Sequence, residues 1–511
     1  MKRARHLLQS SILVILFFGL GKVTGLIRIR LVAGIFGTTP EFDAFTAANQ
    51  LPEVFFVLIA GGSLAAAFIP VYSAALTNKS GNSARLANTV LTLVIFILGI
   101  ISAMGAIFAP WLTRAVLVPN FTPELQILTA NIMRVILIQT TIFGISGVLS
   151  SILNAHQHFA LPALAPLSLD IGYVVGLYLF VPRLGIVGLA WGTVIGGILH
   201  ICIQLPALIR YKIGYKPTLA LQMTGVHEVV RLMGPRIVTL GAIQLADLFI
   251  IRIASGLPSG STSGYFYGFA LMQFPETLLG TTIALVVFPT MAELFNAGDV
   301  KGMKKTAVSA LGIIWTLTIP AAAMLVLLGQ PAIVFFLQGD VFDAASTQLV
   351  YSVLIVFSVR VVSEATVEIV ARLFYAQHNT RTPMFIYVGW LVVNVSFAYL
   401  LVQGFGLGVV GLAGASTIAF TVLAVVLFQL NRKRLNGLAE RELAVIGGRA
   451  LVGTAVMSVI MLLISQVITS PLLYMVVAGA MGGITYIIIN LILGGKEIPS
   501  LLKLVRKKTA V

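Results

Sequence analysis

Apolar stretches of about 20 residues or more recur from Gln9 to Leu493, with only short polar connections between them. In lipid such a stretch must satisfy its own backbone hydrogen bonds, so each is read as a membrane-spanning helix. No interval leaves room for a sizeable soluble domain. Hydropathy predicts about fourteen spans, beginning near residues 9, 44, 88, 125, 160, 185, 229, 264, 307, 347, 384, 408, 445 and 471. Only 10% of the residues are charged, against about 25% in a soluble protein. The fold class follows: an all-α polytopic membrane protein, with any site among its helices.

The net charge of +16 does not point to nucleic acid, because the basic residues fall in separate short connections beside apolar spans. With the N-terminus inside, every second connection is cytoplasmic. Those connections hold Lys79 and Arg85; Arg210, Lys212 and Lys216; Lys301, Lys304 and Lys305; Arg381; and Arg432, Lys433 and Arg434. The tail, with Lys503, Arg506, Lys507 and Lys508, is then cytoplasmic too. The outer connections are poor in cations, Arg114 and Arg183 being the clear ones, and one carries Asp340 and Asp343. Lys2, Arg3 and Arg5 before an apolar run mimic a signal peptide, but the run passes Gly25 without a small-residue cleavage site, which predicts a retained first helix. A lone cysteine, Cys202, excludes a disulfide framework and a cysteine-based metal site.

The chain also repeats itself. Gln50-Leu51-Pro52-Glu53 matches Gln273-Phe274-Pro275-Glu276, and Phe68-Ile69-Pro70 is echoed by Val287-Phe288-Pro289. Ala155 to Pro162 aligns with Ala376 to Pro383, and Leu184 to Ala190 with Leu407 to Ala413. Four matches in order, about 220 residues or six spans apart, predict two parallel six-helix lobes, residues 1–220 and 221–440, followed by two further helices and a basic tail, 441–511. Such lobes would hold a ligand between them and rock to give alternating access. Pro52 and Pro275 at matching places are then either gating bends or ordinary kinks.

Charge inside a span is costly and persists mainly where it faces a cavity or a partner. Lys22 lies well inside the first span among Gly19, Gly21 and Gly25, and reads as a cavity residue. Arg28 and Arg30 lie nearer the outer end, where snorkelling competes, the more so for Arg30. Lys22 and Arg28 are about 120° apart on a straight helix. Asp43 opens the second span and could pair with Arg28 or support that helix start. Glu53 is a deeper acid that could couple to Lys22 or belong to a purely structural ion pair. Arg360, Glu364, Glu368 and Arg372 follow at spacings of four on one stripe, either a self-neutralised ladder or a polar wall that rearranges, with Gln273 a further gating candidate. Asp247, Asn394 and Thr417 could offer oxygens to a sodium ion, against a plain pairing of Asp247 with an arginine such as Arg252. No motif for metal hydrolysis, no Walker lysine and no other seat for catalysis is present, so neither catalytic nor metal residues are assigned.

Arg28, Phe36-Gly37, Asp43-Ala44-Phe45, Leu51-Pro52, Ala67 to Pro70, Gly256-Leu257-Pro258, Gln273 to Pro275, Ala371 to Ala376 and Thr380 to Pro383 together resemble the MurJ/MviN lipid II flippases, from about Lys22 to Leu430. The resemblance implies membership of the multidrug/oligosaccharidyl-lipid/polysaccharide exporter superfamily, with two six-helix lobes around a cavity and two extra C-terminal helices. It implies that Lys22 and Arg28, at the family's two arginine positions, engage the pyrophosphate of lipid II, and that Asp43 stands at the family's aspartate. The chain departs from the pattern where the family has Asn, paired arginines and Glu-Gly after Leu51-Pro52: here stand Glu53, Phe56, Val57 and Gly61-Gly62. It departs again at Ala270 and Gln273.

The reading is a transporter and not an enzyme: a flippase carrying lipid II from the inner to the outer leaflet of the bacterial plasma membrane, with both termini cytoplasmic and cell-wall synthesis proteins as candidate partners. Alternatives are a flippase for another undecaprenyl-diphosphate glycan, a drug exporter of the superfamily, a glycosyltransferase on lipid-linked sugars, or a cell-wall scaffold. Short outer connections count against the enzyme. Coupling to membrane potential, protons or Na+ stays open.

Overall fold

The computed structural model describes residues 2–77, 82–211 and 213–499, with the backbone alone for 2–16, 18 and 235. Lys79, Lys212, Lys503, Arg506, Lys507 and Lys508 lie outside the described residues, as do the side chains of Lys2, Arg3 and Arg5. Among the described residues every regular element is a helix. Twelve are long and apolar enough to cross a membrane. They are α2 (Pro40–Thr77), α3 (Asn82–Ile107), α4 (Pro123–Ala155), α5 (Ala160–Leu184), α6 (Ile186–Arg210), α7 (apolar over Arg236–Ala254), α8 (Ser261–Asn296), α9 (Val300–Phe336), α11 (Arg381–Gly404), α12 (Gly408–Arg434), α13 (Glu440–Ser465) and α14 (Pro471–Ile492). Two more helices complete the fourteen: α1 (Lys2–Phe36) and α10 (Ala344–Ala376), of 35 and 33 residues. At 1.5 Å per residue each is about 50 Å long, ample to span a bilayer. These two carry the intramembrane basic residues Lys22, Arg28 and Arg30 in α1 and the four-residue ladder in α10.

The chain divides into two compact units, residues 1–262 and 263–511. Within the first, α7, which starts at Thr224, packs against both halves of α2, and α2, α3 and α6 all pack on α4. Packing thus groups α7 with the first unit, whereas the repeat begins a second half before it. Neighbourhood and ancestry are different properties, and only the first is set by side-chain contact. In the second unit α10 lies against α9 and α12, and α13 and α14 pack on each other and on α9.

Backbone irregularities recur at the places where the two stretches of sequence match. α4 ends at Ala155 with Gln157 left-handed (φ 61°), and α10 ends at Ala376 with His378 left-handed (φ 56°). In both, the following N–H closes back on the last turn: His158 donates to the Leu153 carbonyl at 2.9 Å, and Asn379 to the Phe374 carbonyl at 3.0 Å. A wide π turn lies near the end of α5 at Gly176–Phe180, before its last turn Val181–Leu184, and another closes α11 at Leu400–Gly404. The next helices open on Gly185 (φ 56°) and Gly408 (φ 55°). Pro52 and Pro275 each sit inside a helix and remove a backbone donor there. Beyond them α2 breaks at Ala60 and Gly61, and α8 opens into a π turn at Thr277–Thr281.

One seam fixes α5. A Cβ on Gly172 would lie 2.5 Å from the Gly192 carbonyl oxygen, and one on Gly192 would lie 2.6 Å from the Gly172 carbonyl oxygen. Only hydrogen fits at either place, so α5 and α6 meet backbone to backbone. With that face committed to α6, the rest of α5, including Asp170 and Tyr173, is left for α1.

Candidate functional site

Arg28 is half-buried on α1, and its acid is Asp170 of α5: guanidinium Nε lies 3.4 Å from Oδ1. The other Asp170 oxygen accepts from the Thr24 hydroxyl at 2.5 Å. Thr24 and Arg28 are four residues apart, so one helical face of α1 presents both to the same carboxylate. The guanidinium also covers the ring of Tyr173 at 4.7 Å, and that ring meets Phe45 edge-on at 6.3 Å. Phe45 stacks on Phe42, and Phe42 on Phe36. The result is a cation held by one carboxylate, shielded on one side by an aromatic face and retaining unused N–H donors.

Glu53 is solvent-accessible while Pro52 and Val54 beside it are buried. Arg28, Asp170 and Glu53 all act electrostatically on Tyr173, so Glu53 shares the neighbourhood of the Arg28 pair. Lys22 is half-buried and Arg30 exposed. α1 runs unbroken through Gly19, Gly21 and Gly25.

Asp43 is buried, and its Oδ2 accepts from the Gly260 N–H at 2.6 Å. Gly260 is left-handed (φ 89°), and a Cβ there would lie 2.7 Å from the Thr38 carbonyl oxygen. Asp43 therefore ties the start of α2 to the connection before α8, while Asp170 takes the place at Arg28 that the sequence offered to Asp43. It sits in the first turn of α2 with Glu41, where the helix dipole favours acids; Thr39, the N-cap, gives no side-chain cap bond.

In the second unit, Arg360 pairs with Glu364 at 2.7 Å, and Glu368 with Arg372, so the ladder is neutralised at both ends. More converges than the spacing announced. Arg360 donates to the Ser416 hydroxyl at 2.7 Å and lies against Phe269 and Phe420 at 4.8 and 4.1 Å. Gln273 donates to the free oxygen of Glu364 at 3.1 Å. Glu276, not singled out in the sequence, is buried with the Thr281 hydroxyl 3.3 Å from each oxygen, in the field of Glu364 and Glu368. Of the cation trio, Thr417 donates to the Val356 carbonyl at 3.2 Å and Asn394 is buried with Oδ1 unpartnered. Asp247 belongs to the other unit, and Arg252 donates to the carbonyls of Ala115 and Val116 at 2.6 and 3.0 Å. Among the described residues no three His, Cys, Asp or Glu side chains are placed to hold a metal.

Residues 32–480 match the family model described as lipid II flippase MurJ. The chain belongs to the MurJ family. A lipid II flippase MurJ of Burkholderia cenocepacia is 28% identical over 410 residues, covering 78% of this chain and 79% of its own. A probable lipid II flippase MurJ of Bdellovibrio bacteriovorus is 30% identical over 445 residues, covering 85% and 84%. Among solved structures, a lipid II flippase MurJ in an inward closed conformation superposes with a TM-score of 0.80 at 21% identity, over 96% of this chain and all of that one. An inward-facing multidrug resistance MATE family transporter gives 0.71 at 17% identity, over 82% and 96%. These two structures share the fold.

Asp170 was missed in the sequence because one acid in an apolar span, with no pattern around it, carries no signal. Its spacing from Tyr173 would have put both on one face, but nothing in the sequence joins that face to α1.

Proposed function

We propose that this chain is a lipid II flippase, moving the lipid-linked peptidoglycan precursor across the bacterial plasma membrane by alternating access. The family match over residues 32–480 carries this reading. The chemistry of the Arg28 neighbourhood agrees with it: a diphosphate needs cationic donors in a low-dielectric surrounding, and Arg28 has donors to spare. In this reading Lys22 and Arg28 engage the diphosphate, Asp170 holds Arg28 between cycles, Glu53 sets the field beside it, and the Asp43 to Gly260 bond latches the outer end of the unit. Two repeat lobes, 1–220 and 221–440, carry the rocking motion. Gln273, Glu364 and Glu368 brace the second lobe around Pro275, as Pro52 allows bending in the first. The loop charges put both termini in the cytoplasm.

The test is replacement. The resident lipid II flippase of a bacterial host is depleted, this chain is expressed, and externally accessible lipid II is measured. Rescue by wild type with loss in Arg28→Ala is the expected result. Failure of a well-expressed wild-type chain to restore accessible lipid II overturns the substrate, and undiminished rescue by Arg28→Ala overturns the site.

A further inference from the structure

The C-terminal end of α3 and the facing part of α4 form a second polar and apolar arrangement, unconnected with Arg28. Ser102, Ala103 and Ala106 of α3 and Leu137, Ile138 and Thr141 of α4 line a groove of about 330 Å³, with Arg134 at one end. Small residues on α3 make the depression, and Ser102 and Thr141 satisfy one another at 3.1 Å, which leaves the groove apolar to a ligand. A crevice of about 40 Å³ adjoins it, and Arg114 and Arg134 both line this crevice together with Asn131.

Neither arginine has an acid. The ion pairs among the described residues all lie elsewhere. Arg134 donates to the Ala106 carbonyl at 3.0 Å and to Asn131 at 3.1 Å, and Arg114 makes no described bond. Both are exposed, as are Ile138 and Trp111. Trp111 and Arg114 in the short segment after α3 have the composition of a membrane interface, and Arg114 lies in a π turn, Thr113–Leu117. Two guanidinium groups without an acidic partner around a small crevice, which shares Arg134 with an apolar groove, match the two halves of an acidic lipid.

We propose that the first unit binds one acidic glycerophospholipid here, its phosphate between Arg114 and Arg134 and an acyl chain along the α3–α4 groove. In the orientation proposed above, this is the outer leaflet. The inference is independent of the transport reading, since binding is measured without any transported substrate.

The full-length protein is purified in detergent, stripped of lipid and mixed with phosphatidylglycerol or phosphatidylcholine at equal concentration. Bound lipid is counted by native mass spectrometry. Wild type is expected to retain phosphatidylglycerol in preference to phosphatidylcholine. The double variant Arg114→Ala/Arg134→Ala is expected to lose that preference, with occupancy down roughly tenfold or more. Arg183→Ala, which removes another exposed outer cation, should leave it unchanged. Ala103→Trp keeps both charges and fills the groove, and should weaken retention as well. Equal retention of both lipids by wild type, unchanged retention in the double variant, equal loss in Arg183→Ala, or displacement by glycerol phosphate as effectively as by phosphatidylglycerol would each overturn the proposal.

Discussion

Removing Asp170 separates what holds Arg28 from what Arg28 holds. Asp170→Asn keeps shape and the capacity to accept from Thr24, but takes away the charge that faces Nε at 3.4 Å. Breaking a fully buried ion pair costs 3–5 kcal/mol, but these side chains are 31% and 14% accessible, so about 2 kcal/mol is the appropriate scale. The measurement is a double-mutant cycle of Asp170→Asn and Arg28→Gln by denaturant unfolding in detergent, with an expected coupling of about 1–2 kcal/mol. Transport should divide the variants differently. Arg28→Gln removes donors from the diphosphate, so lipid II binding and flipping fall together. Asp170→Asn frees Arg28 of its competitor, so binding holds or tightens while flipping falls, because the headgroup is no longer displaced from the guanidinium. A coupling energy within about 0.3 kcal/mol of zero would refute the pair as an energetic contact. Equal loss of binding in both variants would refute the exchange of acid for diphosphate.

Three other outcomes follow from the geometry. Gly192→Ala puts a methyl where 2.6 Å separates it from the Gly172 carbonyl oxygen, and should cost about 1–3 kcal/mol in thermal stability, with loss of transport as α5 is pushed from its seam. Arg360→Lys keeps the charge but loses the planar fork between Ser416, Glu364 and two aromatic faces, and should lower stability by about 1–3 kcal/mol in the same assay. Asp343 caps α10 by accepting from the Ser346 N–H at 2.8 Å, which holds its carboxyl below the ordinary range. Its folded pKa is thus depressed, so its contribution is present above the unfolded value and is lost as pH falls through the folded one. Asp343→Ala should cost about 1 kcal/mol at neutral pH and flatten the acid limb of a stability profile.

The helices were legible because lipid leaves a long apolar segment no other way to satisfy its backbone, and α1 and α10 were found despite their charges because apolar residues surround Lys22 and Arg360. The repeat was legible to a finer grain. The matched motifs around Ala155 and Ala376 become matched left-handed residues at Gln157 and His378, and those around Leu184 and Leu407 become matched glycines at positive φ. Partners were not legible. Sequence offered Arg28 a nearby acid, Asp43, because proximity along the chain is all that spacing reports; the acid it meets, Asp170, lies on a helix seated by a glycine seam and is 146 residues from Thr24. Glu276 was quoted as half of a repeat motif, and only the packing of α8 against α10 brings it into the field of Glu364.

The two units each contain an arginine beside a carboxylate and against aromatic rings, yet only one is suited to change partners. Arg360 is 7% accessible, paired at 2.7 Å, bonded to Ser416 and covered by two aromatic rings within 5 Å. Every favourable contact it makes would have to be broken before a ligand could gain one, and breaking buried polar contacts is expensive. Arg28 is 31% accessible, stands 3.4 Å from its acid and rests on one ring. Its carboxylate is itself divided with Thr24, so withdrawal of Arg28 leaves Asp170 still hydrogen-bonded and not stranded. A diphosphate brings more charge and more acceptor oxygens than Asp170 offers, and the guanidinium can turn to it without vacating a packed position. Under the proposed function Arg28 is thus the exchangeable cation and Arg360 the fixed one, a division that rests on accessibility and pairing rather than on the charge the two share.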